Sequence, residues 1–510
     1  MERLIKSDAV WDRREAAAIT IGLFAATAFS ASALIRHMIS TRPDRFAGLT
    51  IDRLSALSSL LVAGLGTAVF LFASTQLQGN PRRTRFLRLL AFTIGSAYLL
   101  MCSSNLALIF AAWSSTSLGL HALLTIYEDR PEAIRPARKK FLISRLGDLA
   151  LLSAFVLIGR DWGTFDVNDF LAAVVAHPET SSSATWIGLL IAIAALTKSA
   201  QFPFHTWLPE TMEAPTPVSA LMHAGVINAG GALLLRFAPL IVRIPSVLLL
   251  LAFIGTVTFV IGMIAMWAQS KVKRTLAWST VSQMGFMMVQ CGLGAFPAAT
   301  IHMIGHGCYK AWSFLSSGEP RSTPKTKTSA DPARTLVLLA IGTLSAVPAL
   351  AFAAWTTGRF AVDSPGEISL LAIIALSAGQ IWVAIFRDRE RTRRIPIVRI
   401  AAAIGADFAL AILALTINRI ATNFLEPVFQ SNAGSIPSSL ASRIAAILPP
   451  LAVAALSIFY ALTPVIDRFV IGRALYVHAL NGFYLGAYAD RIVDSIWPAR
   501  ILDKSGNRHA

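Results

Sequence analysis

The sequence predicts an all-α protein that crosses a membrane many times, and three observations lead there. Of 510 residues, 55% are apolar and only 14% are charged, against about 25% charged in ordinary soluble proteins. The apolar residues gather in stretches of about 20, the length at which a helix crosses a bilayer with its backbone groups bonded internally. Basic residues collect in the short segments between those stretches, where they orient helices. Lys and Arg together number 45 against 28 Asp and Glu, a net charge of +17. Placed in this way the charge does not indicate nucleic acid. A soluble multidomain enzyme and a disordered chain are both excluded.

The spans number about fourteen. The first, 15–35, ends in small residues (Ser30–Ala33) as a cleavable leader does. Glu2, Asp8, Asp12 and Glu15 precede it, however, and predict an uncleaved span. Further apolar stretches run over 54–75, 86–101, 104–127, 141–159, 185–204, 216–238, 245–268, 274–294 and 297–317. A polar connection, 318–334, contains Pro320, Pro324, Lys325 and Lys327 and makes the best internal boundary. Beyond it come 334–356, 367–386, 397–420 and 441–464. Four units follow: N-terminal helices (1–100), a core (101–320), C-terminal helices (321–466) and a tail (467–510). Between Asp467 and Trp497 the tail interleaves Arg, Tyr, Phe and Ile, as an interfacial or partner-binding helix does.

Basic clusters at Arg82–Arg88, Arg130–Arg145, Lys271–Arg274, Arg321–Arg334 and Arg387–Arg399 fall on one side, which the positive-inside rule makes cytoplasmic. Both termini are expected there. The segment with Arg36, Arg42, Arg45 and Arg53 opposes the rule. Cys102, Cys291 and Cys308 are too scattered for a disulfide framework or a metal site.

Ionisable residues inside spans need a reason, because each costs on the order of 2.5–3.5 kcal/mol at the bilayer centre on insertion scales. Lys198 closes the apolar run from Ile191, and Pro203 lacks the backbone donor a continuing helix needs. A broken helix at Lys198–Pro203 is therefore expected, its freed carbonyls able to hold cations and water. The competing reading is a lysine that snorkels to the interface. His223 lies among small residues that allow close helix packing, as a titrating group or simply as a hydrogen-bonding partner. His302, His306 and Lys310 follow at i, i+4 and i+8, one stripe about 12 Å long. Groups so placed can pass a proton stepwise. They can also be packing residues or zinc ligands, although no acidic residue separates the histidines and a lysine adjoins them.

Candidate modulators are acidic. Asp148 follows Arg145 by three residues and can pair with it. Glu210 and Glu213, near Lys198 in sequence, could tune it. Asp407 is central in its span, with no evident partner. His121 is a further, isolated candidate.

The run Lys198-Ser-Ala-Gln-Phe-Pro-Phe-His-Thr-Trp-Leu-Pro-Glu-Thr-Met-Glu-Ala-Pro-Thr-Pro-Val-Ser-Ala-Leu-Met-His223 resembles the signature of antiporter-like, proton-conducting membrane subunits, those of respiratory complex I and Mrp antiporters. Lys271–Gly285, the His302–Lys310 helix and, more weakly, Arg138–Asp148 extend the likeness over about 100–320. It implies an antiporter-like fold, with Lys198, His223 and Lys310 as the ion path and His302 and His306 beside it. The sequence departs from that pattern in two places. Its Trp-Glu pair reads Trp113-Ser114 here, and after Val347-Pro348 its second broken-helix lysine is replaced by Phe352-Ala-Ala-Trp355. Within this group, Ala214–Gly231 and Leu475–Tyr484 are similar to the DabB family, membrane subunits of inorganic carbon transporters. That likeness implies a bacterial inner-membrane transporter subunit that is not itself an enzyme and binds no metal or cofactor. It also implies a DabA-type peripheral partner carrying zinc and performing any CO2 hydration. A proton-pumping subunit of a complex I-like or hydrogenase redox complex, and an Mrp-type cation/proton antiporter, remain the alternatives.

Overall fold

The computed structural model describes residues 2–128, 130–177, 182–318, 331–358, 365–386, 397–429 and 439–497, with side chains from residue 14 onward. Most of the expected polar connection at 318–334, most of the basic cluster at 387–399 and the end of the tail lie outside the described residues.

The chain is a helical bundle with one small hairpin. Its first part comprises α1 (Glu2–Ile39), β1 (Asp44–Phe46), β2 (Leu49–Ile51), α2 (Arg53–Gln76), α3 (Arg83–Cys102), α4 (Leu106–Leu124), α5 (Pro131–Trp162), α6 (Val167–Ala176) and α7 (Ser182–Lys198). The middle holds α8 (Thr216–Ala224), α9 (Ala229–Arg236), α10 (Ala238–Ile241), α11 (Pro245–Trp267), α12 (Val272–Gly292) and α13 (Phe296–Leu315). The last part holds α14 (Pro332–Thr356), α15 (Pro365–Phe386), α16 (Ile397–Phe429), α17 (Leu440–Ile466), α18 (Val470–Leu480) and α19 (Leu485–Ile496). Among the described residues, eleven helical segments are long and apolar enough to cross a membrane. The count of fourteen is not established. The other three expected ranges fall on α7, which has 17 residues, and on α12 and α13, whose polar content keeps them outside that set.

Two breaks dominate the middle of the bundle. As expected, α7 ends at Lys198, and an irregular segment with a cis Phe202–Pro203 peptide follows. A second break, at Gly225, divides α8 from a short 3₁₀ turn and α9. The two breaks touch, for the Ser199 hydroxyl donates to the Ile227 carbonyl at 2.8 Å. Gly230 permits this approach: a Cβ there would lie 2.4 Å from the Ala195 carbonyl oxygen.

Three of the four arginines that oppose the orientation rule have partners among the described residues. Arg53 donates to the His37 and Phe424 carbonyls, both at 2.8 Å. Arg36 pairs with Asp44 and Arg45 with Asp169. The hairpin between α1 and α2 turns at Ala47 and Gly48, whose φ values are 46° and 79°. Its turn carbonyl, on Gly48, accepts the Ser104 and Asn105 amides at the end of α3.

Helices α11 and α12 pack in near backbone contact. A Cβ on Gly292 would lie 2.4 Å from the Ala252 nitrogen, and one on Gly285 2.6 Å from the Phe259 nitrogen, so small residues allow near backbone contact. Gly292→Val should therefore force the two helices apart and destabilise the fold by about 1–3 kcal/mol, read as a lowered midpoint of thermal unfolding in detergent.

Candidate functional site

Lys198 is buried where α7 ends. Its Nζ donates to the Trp113 carbonyl (2.9 Å), Thr116 Oγ1 (2.8 Å) and Ser117 Oγ (2.7 Å), all on α4. The amine also sits 4.4 Å above the Trp113 ring, where the π face attracts a cation. Every direct partner is neutral, and the snorkelling reading does not fit an amine satisfied inward. Ser114, which replaces the glutamate of the resembling subunits, turns its hydroxyl into an enclosed position without a partner among the described residues.

A carboxylate nevertheless stands one residue away. Asp148 on α5 accepts the Trp113 indole N–H at 3.0 Å and pairs with Arg145 at 2.7 Å. Trp113 thus touches Lys198 with its carbonyl and ring face and Asp148 with its ring N–H. Gly147 lets α5 lie close to α7 beside Lys198, since a Cβ there would come 3.3 Å from the Thr197 Cβ.

The other acidic modulators lie elsewhere. Glu210 binds Lys139 at 2.6 Å, not Lys198. Desolvation pushes its carboxyl above the usual carboxylate range, with Lys139 opposing. Glu213 pairs with Arg130 at the surface, at 3.3 Å. Lys139 is fully buried and also meets Asp490 on α19 at 2.7 Å. The tail is tied to α5 further by Arg135–Asp494 and by Arg138 over Trp497.

Lys140 was not expected at the site, because a basic run before a span reads as an orienting loop. It is buried, and its Nζ donates to the Ser117 carbonyl at 2.6 Å. Ser117 therefore serves two lysines, through its hydroxyl and its carbonyl. The available signal was position: Lys140 precedes Asp148 by eight residues, the same helical stripe.

The second cluster joins α8, α12 and α13. His223 is enclosed, stacks on Phe314 with ring centroids 4.3 Å apart, and shares a 3.0 Å hydrogen bond between Nδ1 and Thr280 Oγ1. Lys310, fully buried, donates to Ser279 Oγ at 2.7 Å and the Leu276 carbonyl at 3.1 Å. Ser279 and Thr280 are neighbours on α12, which brings the two basic groups together. Gly307 lets α13 lie close to α8 beside His306, since a Cβ there would lie 3.0 Å from the Ala224 carbonyl oxygen. The His302 and His306 rings are 6.0 Å apart, and His302 Nδ1 meets Gln290 Oε1 at 2.8 Å. His302 also borders a cavity of about 660 Å³ between α12 and α16. His302, His306 and Lys310 all lie on α13, with His306 and Lys310 buried and His302 at the cavity wall.

No hydrogen bond among the described residues links the Lys198 cluster to the His223 cluster. Asp407 belongs to neither, being held on α16 by α14 and α15 side chains. His121 meets the Ala137 carbonyl and the Phe141 ring. Among the described residues, no three His, Cys, Asp or Glu side chains converge as metal ligands.

The fold and these buried basic clusters define an antiporter-like, multi-span membrane subunit. The family model for the transmembrane region of NADH:quinone oxidoreductase and Mrp antiporter subunits matches residues 103–331. The Mrp complex from Dietzia has a similar structure, with TM-score 0.56 and 26% identity over 95% of this chain and 58% of that one. The NADH-quinone oxidoreductase subunit L of Mycobacterium tuberculosis is 36% identical over 53% of this chain and 43% of its own length. A probable inorganic carbon transporter subunit DabB2 from Halothiobacillus neapolitanus is 36% identical over 89% of this chain and 81% of its own. The chain belongs to the DabB family.

Trp113→Phe removes the indole N–H that anchors Asp148. It should lower stability by about 1–3 kcal/mol, measured as a shift in thermal unfolding of the detergent-solubilised protein.

Proposed function

We propose that the chain is the proton-conducting membrane subunit of an energy-coupled inorganic carbon transporter in a bacterial inner membrane, with both termini cytoplasmic. The observation that carries this reading is the pair of buried lysines, Lys198 and Lys310, held by hydroxyls and carbonyls and not by carboxylates. An ammonium with a fixed counter-ion is locked in its charged form, whereas one held by neutral acceptors can release and regain a proton at a smaller energy difference. His223, His306 and His302 extend the series from Lys310 toward the cavity. Asp148 acts on Lys198 through Trp113 and takes the place of the carboxylate absent at Ser114.

The inorganic carbon side of the proposal rests on the DabB2 relative, which this chain matches over most of both lengths. The partner is then a DabA-type peripheral protein whose zinc converts CO2 to bicarbonate, and this chain supplies the ion gradient's energy and performs no chemistry itself. The second reading, a membrane subunit of a redox complex, has the subunit L likeness in its favour, but that covers less than half of the relative. Co-purification separates them: a single large zinc protein supports carbon uptake, and Fe–S or quinone-reducing subunits support the redox reading.

Lys198→Ala, His223→Ala and Lys310→Ala should each abolish growth at low CO2 of a host that depends on this transporter, with membrane insertion unchanged on immunoblots. Wild-type growth by all three would sink the path.

A further inference from the structure

The cavity of about 660 Å³ that His302 borders lies between α12 and α13 on one side and α14, α15 and α16 on the other. Small side chains on three of these helices make the room: Ala298 on α13, Ala351 and Ala354 on α14, and Ala414 on α16. The lining runs from Leu410 to Asn418 along α16, about 12 Å at 1.5 Å per residue. That is close to the depth of one leaflet, half of a hydrocarbon core about 30 Å thick. The volume is in the range, about 300–1,000 Å³, of sites that enclose a whole small molecule.

Leu413 and Ile417 line the cavity and are 59% and 37% exposed, so it opens sideways, through the face that membrane-spanning helices turn to lipid. Left empty, a void of this size would cost more than the stability margin of an ordinary fold. Water does not suit it. A buried water takes about two to four polar partners, whereas fifteen of the twenty lining residues are apolar. Two of the polar ones serve each other, His302 Nδ1 and Gln290 Oε1 at 2.8 Å. The Phe286 ring, also in the lining, covers His302 with centroids 5.6 Å apart. Hydrocarbon is the one fluid that both surrounds these helices and matches such walls.

The two ends of the cavity differ. As consecutive spans, α15 and α16 cross in opposite directions, so the first turn of α15 and the latter part of α16 share one end. There the lining is polar, with Glu367 on α15 and Asn418 on α16. Toward the bilayer centre the same two helices present Ile374 and Leu410. A few polar groups at the mouth of an apolar space fix the orientation of an amphiphile.

We propose that this cavity is a binding site for one phospholipid of the surrounding bilayer, its acyl chain between α12 and α16 and its headgroup beside Glu367 and Asn418. The orientation proposed above assigns the lipid to the leaflet away from the cytoplasm, and the site itself does not depend on proton conduction. The chain fills the gap that the four alanines leave and so completes the packing of α13 against the helices that follow it. It also keeps the outward side of His302 dry, so that the row of basic groups on α13 ends against hydrocarbon and not in a water channel.

The test places the full-length protein, with whatever partner co-purifies, in vesicles of phosphatidylethanolamine and phosphatidylglycerol. A trace of the phosphatidylethanolamine carries a diazirine on one acyl chain. After illumination, peptide mass spectrometry should find adducts on the inner wall at Phe286–Gln290 and Leu370–Ile374, and on the outer face of α5 around Leu149, which is 64% exposed. Ala354→Phe combined with Ala414→Phe fills the space and should abolish the wall adducts while sparing those on α5. Independently, Ile374→Cys should resist a charged, water-borne thiosulfonate. Four results would each overturn the proposal: no wall adducts in the wild type, wall adducts that persist in the filled variant, their suppression by added isoprenoid quinone, or ready modification of Ile374→Cys. If the filled variant does not fold, the wild-type adducts and the cysteine decide. Proton transport enters none of these readouts, so failure of the proposed function is seen separately.

Discussion

Two ammonium groups in the interior of a membrane protein need oxygen atoms around them, and much of this structure provides those atoms. Hydrogen bonds to a charged group contribute roughly 1.5–3 kcal/mol each, enough to offset transfer out of water only when several converge. Lys198 has three, from a carbonyl and two hydroxyls on α4. Lys310 has two, from a carbonyl and a hydroxyl on α12. In each case a carbonyl within a regular helix accepts the amine and hydroxyl-bearing residues of the same helix complete the set: Trp113 with Thr116 and Ser117 on α4, Leu276 with Ser279 on α12. The glycines that let α9 approach α7 and α13 approach α8 serve this arrangement too, by removing the bulk that would hold these groups apart.

Much of this was legible in the amino-acid order. Apolar length located the helices, and the proline five residues beyond Lys198 located the break. The i, i+4, i+8 spacing placed His302, His306 and Lys310 on one face. What stayed hidden depended on contacts between distant segments. Proximity in sequence suggested Glu210 as a partner for Lys198, whereas the fold turns it to Lys139. Lys140 read as a loop charge because hydropathy alone cannot show that α5 continues unbroken through a basic stretch buried by α4. The hairpin between α1 and α2 was equally invisible, being too short to leave a periodic signal; around it Arg36, Arg45 and Arg53 meet carboxylates or carbonyls.

The two halves of the bundle solve the same problem with different chemistry. In the first, a tryptophan bridges an amine and a carboxylate, and an arginine stands on the far side of the acid. In the second, α14 passes through Pro348 as one helix with no lysine along it, and the tryptophan-held acid has no basic partner among the described residues. Indole-to-carboxylate bonds occur in both places, Trp113 to Asp148 and Trp382 to Asp407.

The ion pair between Lys139 and Asp490 joins residues about as far apart in the chain as any tertiary contact here. Because translation runs from the N-terminus, α5 is made and inserted long before α19 exists. Until the last helix leaves the ribosome, the buried amine at the start of α5 has Glu210 as its sole counter-charge. Completion of this corner is a late event in biogenesis, and a chain halted before its final helices would be left with an unfinished seam in the part of the molecule that was synthesised early.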